Sequence, residues 1–294
     1  MATTFVNAVQ VQNKTGSSFS TFNLPAFNCG SNNLIVVGIA AGNASSVTDT
    51  AGNTYVEATN LSVSGRGDAE VWYCLKSNSN ASNVITVNFS PNGAYLGLCA
   101  SQYTNGGSAG FVRDIVASGQ NASTNSISTS SFTTTVADEV IVAYATQATA
   151  GATFTPGSGY TIRCVTGDGT DAIEDKIVTS IQTSVVATMN SSLTFGFGII
   201  AVSFYDANPN YIMTCTTGVF TLTGNAVNLS KGYVMQVATG VFNMVGNAVN
   251  LVVGGQIWTN IAKSVTSWTN GTKSSTTWDN EDKSSTTWTN QNKS

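Results

Sequence analysis

The stretch Val84-Ile-Thr-Val-Asn-Phe89 alternates apolar and polar side chains, and this alternation points to the fold class. In an extended strand Ile85, Val87 and Phe89 face a core, while the residues between them face water. Similar runs, separated by Gly, Asn and Ser turns, continue to about residue 208. The predicted strands are Thr4–Val11, Leu34–Ala41, Ala69–Leu75, Val84–Phe89, Ala94–Tyr103, Ile127–Thr135, Glu139–Ala145, Tyr160–Val165, Ala172–Thr179 and Leu193–Tyr205.

The composition favours the same fold class. Hydrophobic residues make up 41% of the 294 residues and charged residues only 9%, against a usual charged fraction of about 25%. Ser, Thr, Asn and Gly must therefore supply the polar surface, and these residues favour strands and tight turns over long helices. We expect an all-β protein, with a β-sandwich or jelly roll over residues 1–208.

Charge and residue content argue against several function classes. The chain carries a formal charge of −4, and its 11 basic residues form no basic patch, which disfavours nucleic-acid binding. It has no histidine, which removes the commonest general base and Ser-His-Asp or Cys-His catalysis. The five cysteines lack close C-x-x-C spacing, so we expect buried free thiols. We expect no cofactor.

The N-terminal sequence shows no basic residue before Lys14 and no apolar run of signal-peptide length. The longest apolar stretches, Leu34–Ala41 and Phe195–Phe204, are too short and too glycine-interrupted to cross a bilayer as helices. An adhesin-like composition without an export signal fits a virion protein that is assembled in the host cytoplasm and becomes extracellular on release. No membrane insertion is expected.

The first two-thirds of the chain contain a weak internal repeat. Tyr55, at the end of a Gly-Asn turn, matches Tyr160, and Tyr103, at the end of a long apolar strand, matches Tyr205. We expect the two halves to supply matching portions of two facing sheets.

Several segments together resemble a known domain family. They are Leu34-Ile-Val-Val-Gly38, Val47-Thr-Asp-Thr-Ala-Gly-Asn-Thr-Tyr55, Val71-Trp-Tyr-Cys-Leu75, Ile85-Thr-Val-Asn-Phe89, Gly157-Ser-Gly-Tyr160 and Glu174-Asp-Lys-Ile-Val178. In this order they resemble a concanavalin-like jelly-roll domain found in phage structural and bacterial surface proteins. The resemblance covers about two-thirds of the chain and implies a fold and a setting rather than an activity.

A boundary is predicted at Asn208-Pro-Asn210, because proline interrupts strand pairing and asparagine favours turns. Thr217-Gly-Val-Phe220 then repeats as Thr239-Gly-Val-Phe242, and Gly224-Asn-Ala-Val-Asn-Leu229 repeats as Gly246-Asn-Ala-Val-Asn-Leu251. Residues 209–257 thus form two 22-residue β-repeats that resemble those of phage fibre-like proteins. Neither repeat can bury its Val, Phe and Leu side chains alone, so we expect contacts with each other or with other chains through residues such as Phe220 and Phe242.

Residues 258–294 repeat every ten positions and are predicted to form an extended tail. The repeated residues are Trp258, Trp268, Trp278 and Trp288 with Asn260, Asn270, Asn280 and Asn290. An even period places every Trp of an extended chain on one face, whereas a helix would scatter them. The tail could be a flexible tether, a surface that stacks on neighbouring copies, or a set of motifs that bind a repetitive lattice by avidity. We favour the last two, because exposed indoles otherwise promote aggregation.

Acidic and aromatic residues raise three further hypotheses. Glu174 and Asp175 could supply a glycan hydrolase with a carboxylate pair, but adjacent strand residues point to opposite faces. The loop that contains Asp168 and Asp171 offers oxygen ligands for calcium, although a solvated turn explains it better. A carbohydrate-binding module would stack sugars on the following aromatic residues: Tyr55, Trp72, Tyr103 and Tyr160.

The sequence thus favours a non-enzymatic structural or adhesive virion protein of a tailed phage, such as a fibre, spike or capsid decoration. Its partners would be other virion proteins or copies of itself, and a host-surface glycan where it serves as a receptor-binding fibre. A carbohydrate-binding surface module is the alternative, and a glycan hydrolase is the second.

Overall fold

The computed structural model describes residues 3–13 and 15–207 with their side chains, and seven strands between residues 212 and 268 by their backbone. The chain divides into two compact units, Met1–Pro209 and Asn210–Ser294. Each is described by itself below. Every regular element of the described residues is a β-strand, and none is a helix that could cross a bilayer.

The described residues of the first unit form sixteen strands in two consecutive sets. The first set is β1 (Thr4–Gln12), β2 (Phe19–Asn23), β3 (Phe27–Cys29), β4 (Leu34–Ala40), β5 (Ala44–Asp49), β6 (Val56–Val63), β7 (Gly67–Cys74), β8 (Asn80–Asn83), β9 (Ile85–Gly93) and β10 (Gly97–Thr104). The second set is β11 (Phe111–Ser128), β12 (Glu139–Gln147), β13 (Phe154–Thr155), β14 (Thr161–Val165), β15 (Asp171–Val178) and β16 (Thr188–Asp206). We call the two sets the first and second halves.

The first half forms a two-layered sandwich. Its large sheet has the order β1-β10-β4-β7-β6, and a smaller sheet has the order β2-β9-β5. In β9 the side chains of Ile85, Val87 and Phe89 are buried, which confirms the alternation seen in the sequence. They pack against Ile35 and Val37 of β4, so that one apolar core lies between the two layers.

The second half repeats this arrangement. Its large sheet runs β11-β16-β12-β15-β14, the same order with corresponding strands, and its smaller layer joins the far ends of β11 and β16 to β13. The pairing irregularities also correspond. A one-residue bulge follows Phe5 in β1 and lies after Arg113 in β11, while a second lies after Glu57 in β6 and after Ile162 in β14.

The strand registers show which residues of the internal repeat correspond. Tyr55 and Tyr160 each precede the first paired residue of equivalent strands, as expected. Tyr103 pairs with Leu34 of β4, and Phe204 pairs with Val140, which holds the corresponding position in β12. The counterpart of Tyr103 in the repeat is therefore Phe204 and not Tyr205. The one-residue error arose because both aromatic side chains close the same apolar strand.

The two large sheets face each other, and a third core fills the space between them. It contains Val36 and Tyr73 from the first half with Val142, Ile173 and Phe204 from the second. Contacts between the sheets are reciprocal: β1 meets β14 and β6 meets β11, as an approximate two-fold axis parallel to the strands requires. The expected facing sheets are therefore present, and each also carries its own smaller outer layer.

The central strands β4 and β12 are buried along their whole length because each has a core on both faces. This position accounts for their continuous apolar sequence. The four cysteines with described side chains are buried and free: Cys29, Cys74, Cys99 and Cys164.

The second unit contains short strands: β17 (Ile212–Cys215), β18 (Gly218–Thr223), β19 (Val234–Val237), β20 (Gly240–Val245), β21 (Asn250–Val253), β22 (Gln256–Thr259) and β23 (Thr266–Trp268). Two pairs are parallel. Ile212 pairs with Val234 in one, and Gly218 pairs with Gly240 in the other, so both pairs follow the 22-residue spacing of the sequence repeats. Strand β20 also pairs with β23, and β21 with β22, in antiparallel fashion.

Candidate functional site

An open cleft of about 660 Å³ lies in the first unit, at one end of the two facing sheets. The first half contributes Arg66 of the β6–β7 turn and Tyr95 of the β9–β10 loop. The second half contributes residues 148–151, after β12, and Asp168 and Thr170 of the β14–β15 turn. Equivalent turns of the two halves meet here because the approximate two-fold axis brings the same ends of both sheets together.

Tyr95 is the most exposed large apolar residue of the cleft, with 60% of its surface accessible. Its φ of 57° lies in the left-handed region, which side chains other than Gly, Asn and Asp seldom adopt. Its carbonyl accepts a hydrogen bond from Nη1 of Arg66 at 2.6 Å. The ring lies against the backbone of Gly16, where a Cβ would be only 2.6 Å from the Tyr95 hydroxyl. The tyrosine is thus held in position while its ring stays accessible.

Arg66 and Asp171 form a buried ion pair below the cleft, with side chains 7% and 0% exposed and an Nη2–Oδ2 distance of 2.9 Å. The other Asp171 oxygen accepts hydrogen bonds from Tyr144, at 3.0 Å, and Thr146. Thr170 donates to Asp171 Oδ2 at 2.7 Å. The pair joins the two halves, and it neutralises the only arginine that lines the cleft.

The predicted calcium loop is a hydrogen-bonded turn. Asp168 Oδ1 accepts from the Thr170 backbone N–H at 3.2 Å and from its hydroxyl at 2.8 Å. Asp171 is committed to Arg66 and three hydroxyl groups, which disfavours it as a calcium ligand. Over the described residues no cluster of three or more acidic, Cys or His side chains could hold a metal ion. The second oxygen of Asp168 remains available at the cleft wall.

The four aromatic residues predicted to contact a glycan do not come together. Tyr103 is fully buried between the large sheets. Tyr55 lies in the core between the two layers of the first half, and Tyr160 lies in the corresponding core of the second half. Trp72 is half-buried, and its indole N–H donates to Glu70 at 2.8 Å. Burial prevents the three tyrosines from stacking on a sugar, so this part of the prediction is corrected.

Glu174 and Asp175 point to opposite faces of β15, as strand alternation predicts. Glu174 accepts a hydrogen bond from the Gly157 N–H at 2.9 Å. Asp175 pairs with Arg163 at 2.9 Å, on the face toward the first half. Burial raises the pKa of Glu174 to about 7, and the charge of Asp175 also raises it, against the lowering effect of the Gly157 N–H. The two carboxyl groups share no cleft.

The predicted assembly residues belong to the second unit, of whose side chains nothing is described. Phe220 and Phe242 are register partners in the parallel pair β18–β20, and Phe242 is opposite Trp268 of β23. Trp258 is opposite Leu251 in the pair β21–β22. The remaining predicted residues lie outside the described positions: Asn260, Asn270, Trp278, Asn280, Trp288 and Asn290.

Tyr95 and Arg66 were not predicted from the sequence to be functional residues. Tyr95 was included in the predicted strand Ala94–Tyr103, whereas β10 begins at Gly97. Arg66 stands alone between glycines, in a segment without a motif. The one usable signal was the Ser64-Gly-Arg-Gly67 turn, because an isolated arginine in a sparsely charged chain needs a partner.

Comparisons of the chain with protein-family models, curated proteins and solved structures found no significant match.

Proposed function

We propose that this chain is a structural and adhesive protein of a tailed-phage virion, which assembles through its second unit and displays the paired sandwiches of the first. One observation carries the proposal: the strands of the 22-residue repeats pair in parallel, each residue with its counterpart one repeat further on. A repeat that stacks on its own copy within the chain can stack on the same repeat of another chain.

The strand order of the second unit supports this assembly. Among the described strands, β18 lies at the edge of the sheet β18-β20-β23, and β17 and β19 form a sheet of two strands. Edge strands carry unpaired backbone N–H and C=O groups, which readily add a strand from a neighbouring chain. The tryptophan decads would then bind neighbouring copies or a repetitive lattice.

We assign each half of the first unit to the jelly-roll class. In both halves the first and last strands are neighbours, as β1 and β10 or β11 and β16 are. Apart from the separate pair β3–β8 and the consecutive strands β6 and β7, the first half takes strands from the large and the smaller sheet in turn, as a jelly roll does. This assignment agrees with the resemblance to the concanavalin-like domain, and together they support a surface-displayed role in a virion.

The proposed role is non-enzymatic. Of the acidic side chains considered for hydrolysis, Asp175 is neutralised by Arg163 and Glu174 lies on the other face of the same strand. This geometry favours display over glycan hydrolysis. A strand-addition partner would be another virion protein or a second copy.

Light scattering of the full chain over a concentration series tests the assembly. We expect species larger than a monomer, and we expect Thr221→Pro in β18 to reduce them, because proline removes a backbone donor from the edge strand. Thr221→Val, which retains the N–H, is the matched control. A full chain that stays monomeric at every concentration, or a proline variant that assembles like the control, would contradict the proposal.

Immunoelectron microscopy tests the setting. Antibodies raised against the full chain should label tailed particles at symmetry-related positions, and the symmetry at the attachment point would distinguish head from tail. Particles that carry none of this chain would overturn the virion assignment while leaving assembly to be judged by light scattering.

A further inference from the structure

We propose that the cleft between the two halves is a binding site for a short neutral saccharide, with Tyr95 as the stacking platform. The proposal concerns the first unit alone and goes beyond the assembly role of the second. The sugar-binding residues are thus those of the cleft, and not the four dispersed aromatic residues predicted from the sequence.

The volume and lining of the cleft suit a flat, hydroxylated ring. About 660 Å³ falls within the range of about 300–1,000 Å³ that is usual for small-molecule sites. Small residues line much of the cleft and permit close approach of a ring: Ala41, Gly65, Ala94, Ala148, Ala150 and Gly151. A sugar offers an apolar C–H face to such a lining and hydroxyl groups to its polar rim.

Tyr95 supplies the aromatic surface. A tyrosine presents a large, rigid contact area with little conformational entropy to lose, and this ring is further restrained by Gly16 and by the hydrogen bond from Arg66 to its carbonyl. An unfavourable backbone conformation at an exposed aromatic residue is the kind of strain that functional sites retain. The corresponding position in the second half is Gly196, so the cleft has one aromatic wall.

Polar groups at the rim would orient the ligand. The free oxygen of Asp168 can accept a hydrogen bond from a sugar hydroxyl group. Thr149 offers a hydroxyl group on the same side of the cleft. The charge of Arg66 is neutralised by Asp171, so among the described residues that line the cleft Asp168 carries the uncompensated charge. An anionic sugar would be repelled, so the structure favours an uncharged one.

Saturation-transfer NMR and calorimetry on the full chain test the site with four probes. Three are neutral: maltotriose, cellotriose and N,N′,N″-triacetylchitotriose. The fourth, trigalacturonic acid, is anionic. We expect at least one neutral probe to bind with a Kd on the order of 0.1–1 mM, and the anionic probe to bind more weakly.

Variants place the binding in the cleft. Tyr95→Asn removes the ring, and asparagine tolerates the positive φ, so this variant should fold and bind at least about ten-fold more weakly. Tyr95→Phe should bind within a few-fold of the wild type. Ile181→Ala, which removes an exposed apolar side chain beyond the opposite end of β15, is the matched control and should bind normally.

Three results would overturn the proposal. They are the absence of binding by all three neutral probes, preferential binding of the anionic probe, and undiminished affinity in a folded Tyr95→Asn variant. None of them bears on light scattering by the full chain, so the assembly proposal stands or fails separately.

Discussion

Asp49, the last residue of β5, accepts five hydrogen bonds. The donors are the backbone N–H groups of Ala51 and Asn53, the side-chain amides of Asn53 and Asn83, and the hydroxyl of Tyr55. Burial alone would raise the pKa of Asp49, but these hydrogen bonds lower it below its ordinary value. The carboxylate thereby holds the turn over residues 48–55 in its conformation. In the sequence this segment was notable only for its resemblance to the concanavalin-like domain.

Asp49→Ala should destabilise the first unit by about 3 kcal/mol, because buried donors lose their acceptor. Chemical denaturation of the full chain measures this loss. Asp138→Asn is the control, since Asp138 is exposed and asparagine tolerates its φ of 59°. Since the folded-state pKa is lowered, the contribution of Asp49 is present above its ordinary pKa and fades as the pH falls below that value. Equal stability of the two variants at pH 7 would contradict this account.

Glu174 has the opposite pH dependence. Its pKa is raised to about 7 by burial, so the folded state binds its proton more tightly than the unfolded state does. Stability therefore declines as the pH rises from about 4.5, the ordinary pKa, through about 7, by up to about 3 kcal/mol. Glu174→Gln should make the decline shallower without abolishing it, because burial also raises the pKa of Glu139 to about 7. Glu57→Gln, at an exposed position, should leave the decline unchanged. Thermal unfolding between pH 5 and 8 measures it, and parallel curves for wild type and Glu174→Gln would refute the assignment.

At the scale of elements, the central strands β4 and β12 meet across the interface at Gly38. A Cβ at this glycine would lie 2.2 Å from the ring of Tyr144, which occupies the corresponding position of the second half. Gly38→Ala should therefore destabilise the chain by about 2–3 kcal/mol through overpacking. In a double-mutant cycle the same change should do much less harm in a Tyr144→Ala background. Additive effects in that cycle would show that the ring does not set the spacing.

The predictability of the strands followed their environment. Strands with one or two buried faces, such as β4, β9 and β12, were placed to within a few residues because their periodicity reports burial directly. The predicted strand Ile127–Thr135 was wrong, since β11 spans Phe111–Ser128, and only three of its 18 residues are buried. Its polar composition carries no alternation, and its long pairing with β16 is a tertiary property.

At the scale of the whole first unit, the Arg66–Asp171 pair links the two halves. Arg66→Met should destabilise the chain by about 3–5 kcal/mol, because it leaves a buried carboxylate without its counter-charge. Arg113→Met removes an exposed arginine and is the control. Denaturation followed by far-UV circular dichroism measures both. A loss no larger than that of the control would mean that the hydroxyl donors to Asp171 suffice.

The sequence by itself determined the all-β class, the buried faces of the apolar strands and the correspondence of the two halves, because alternation and repeat spacing depend only on neighbours along the chain. The 22-residue spacing likewise appears directly in the pairing of β17 with β19 and of β18 with β20. Only the tertiary structure decided that the large sheets face each other and that Tyr55, Tyr103 and Tyr160 are buried. It also brought Tyr95, Arg66 and Asp168 to one cleft. Residues so far apart in sequence become neighbours through the packing of two sheets, and no local pattern records which loops that packing brings together.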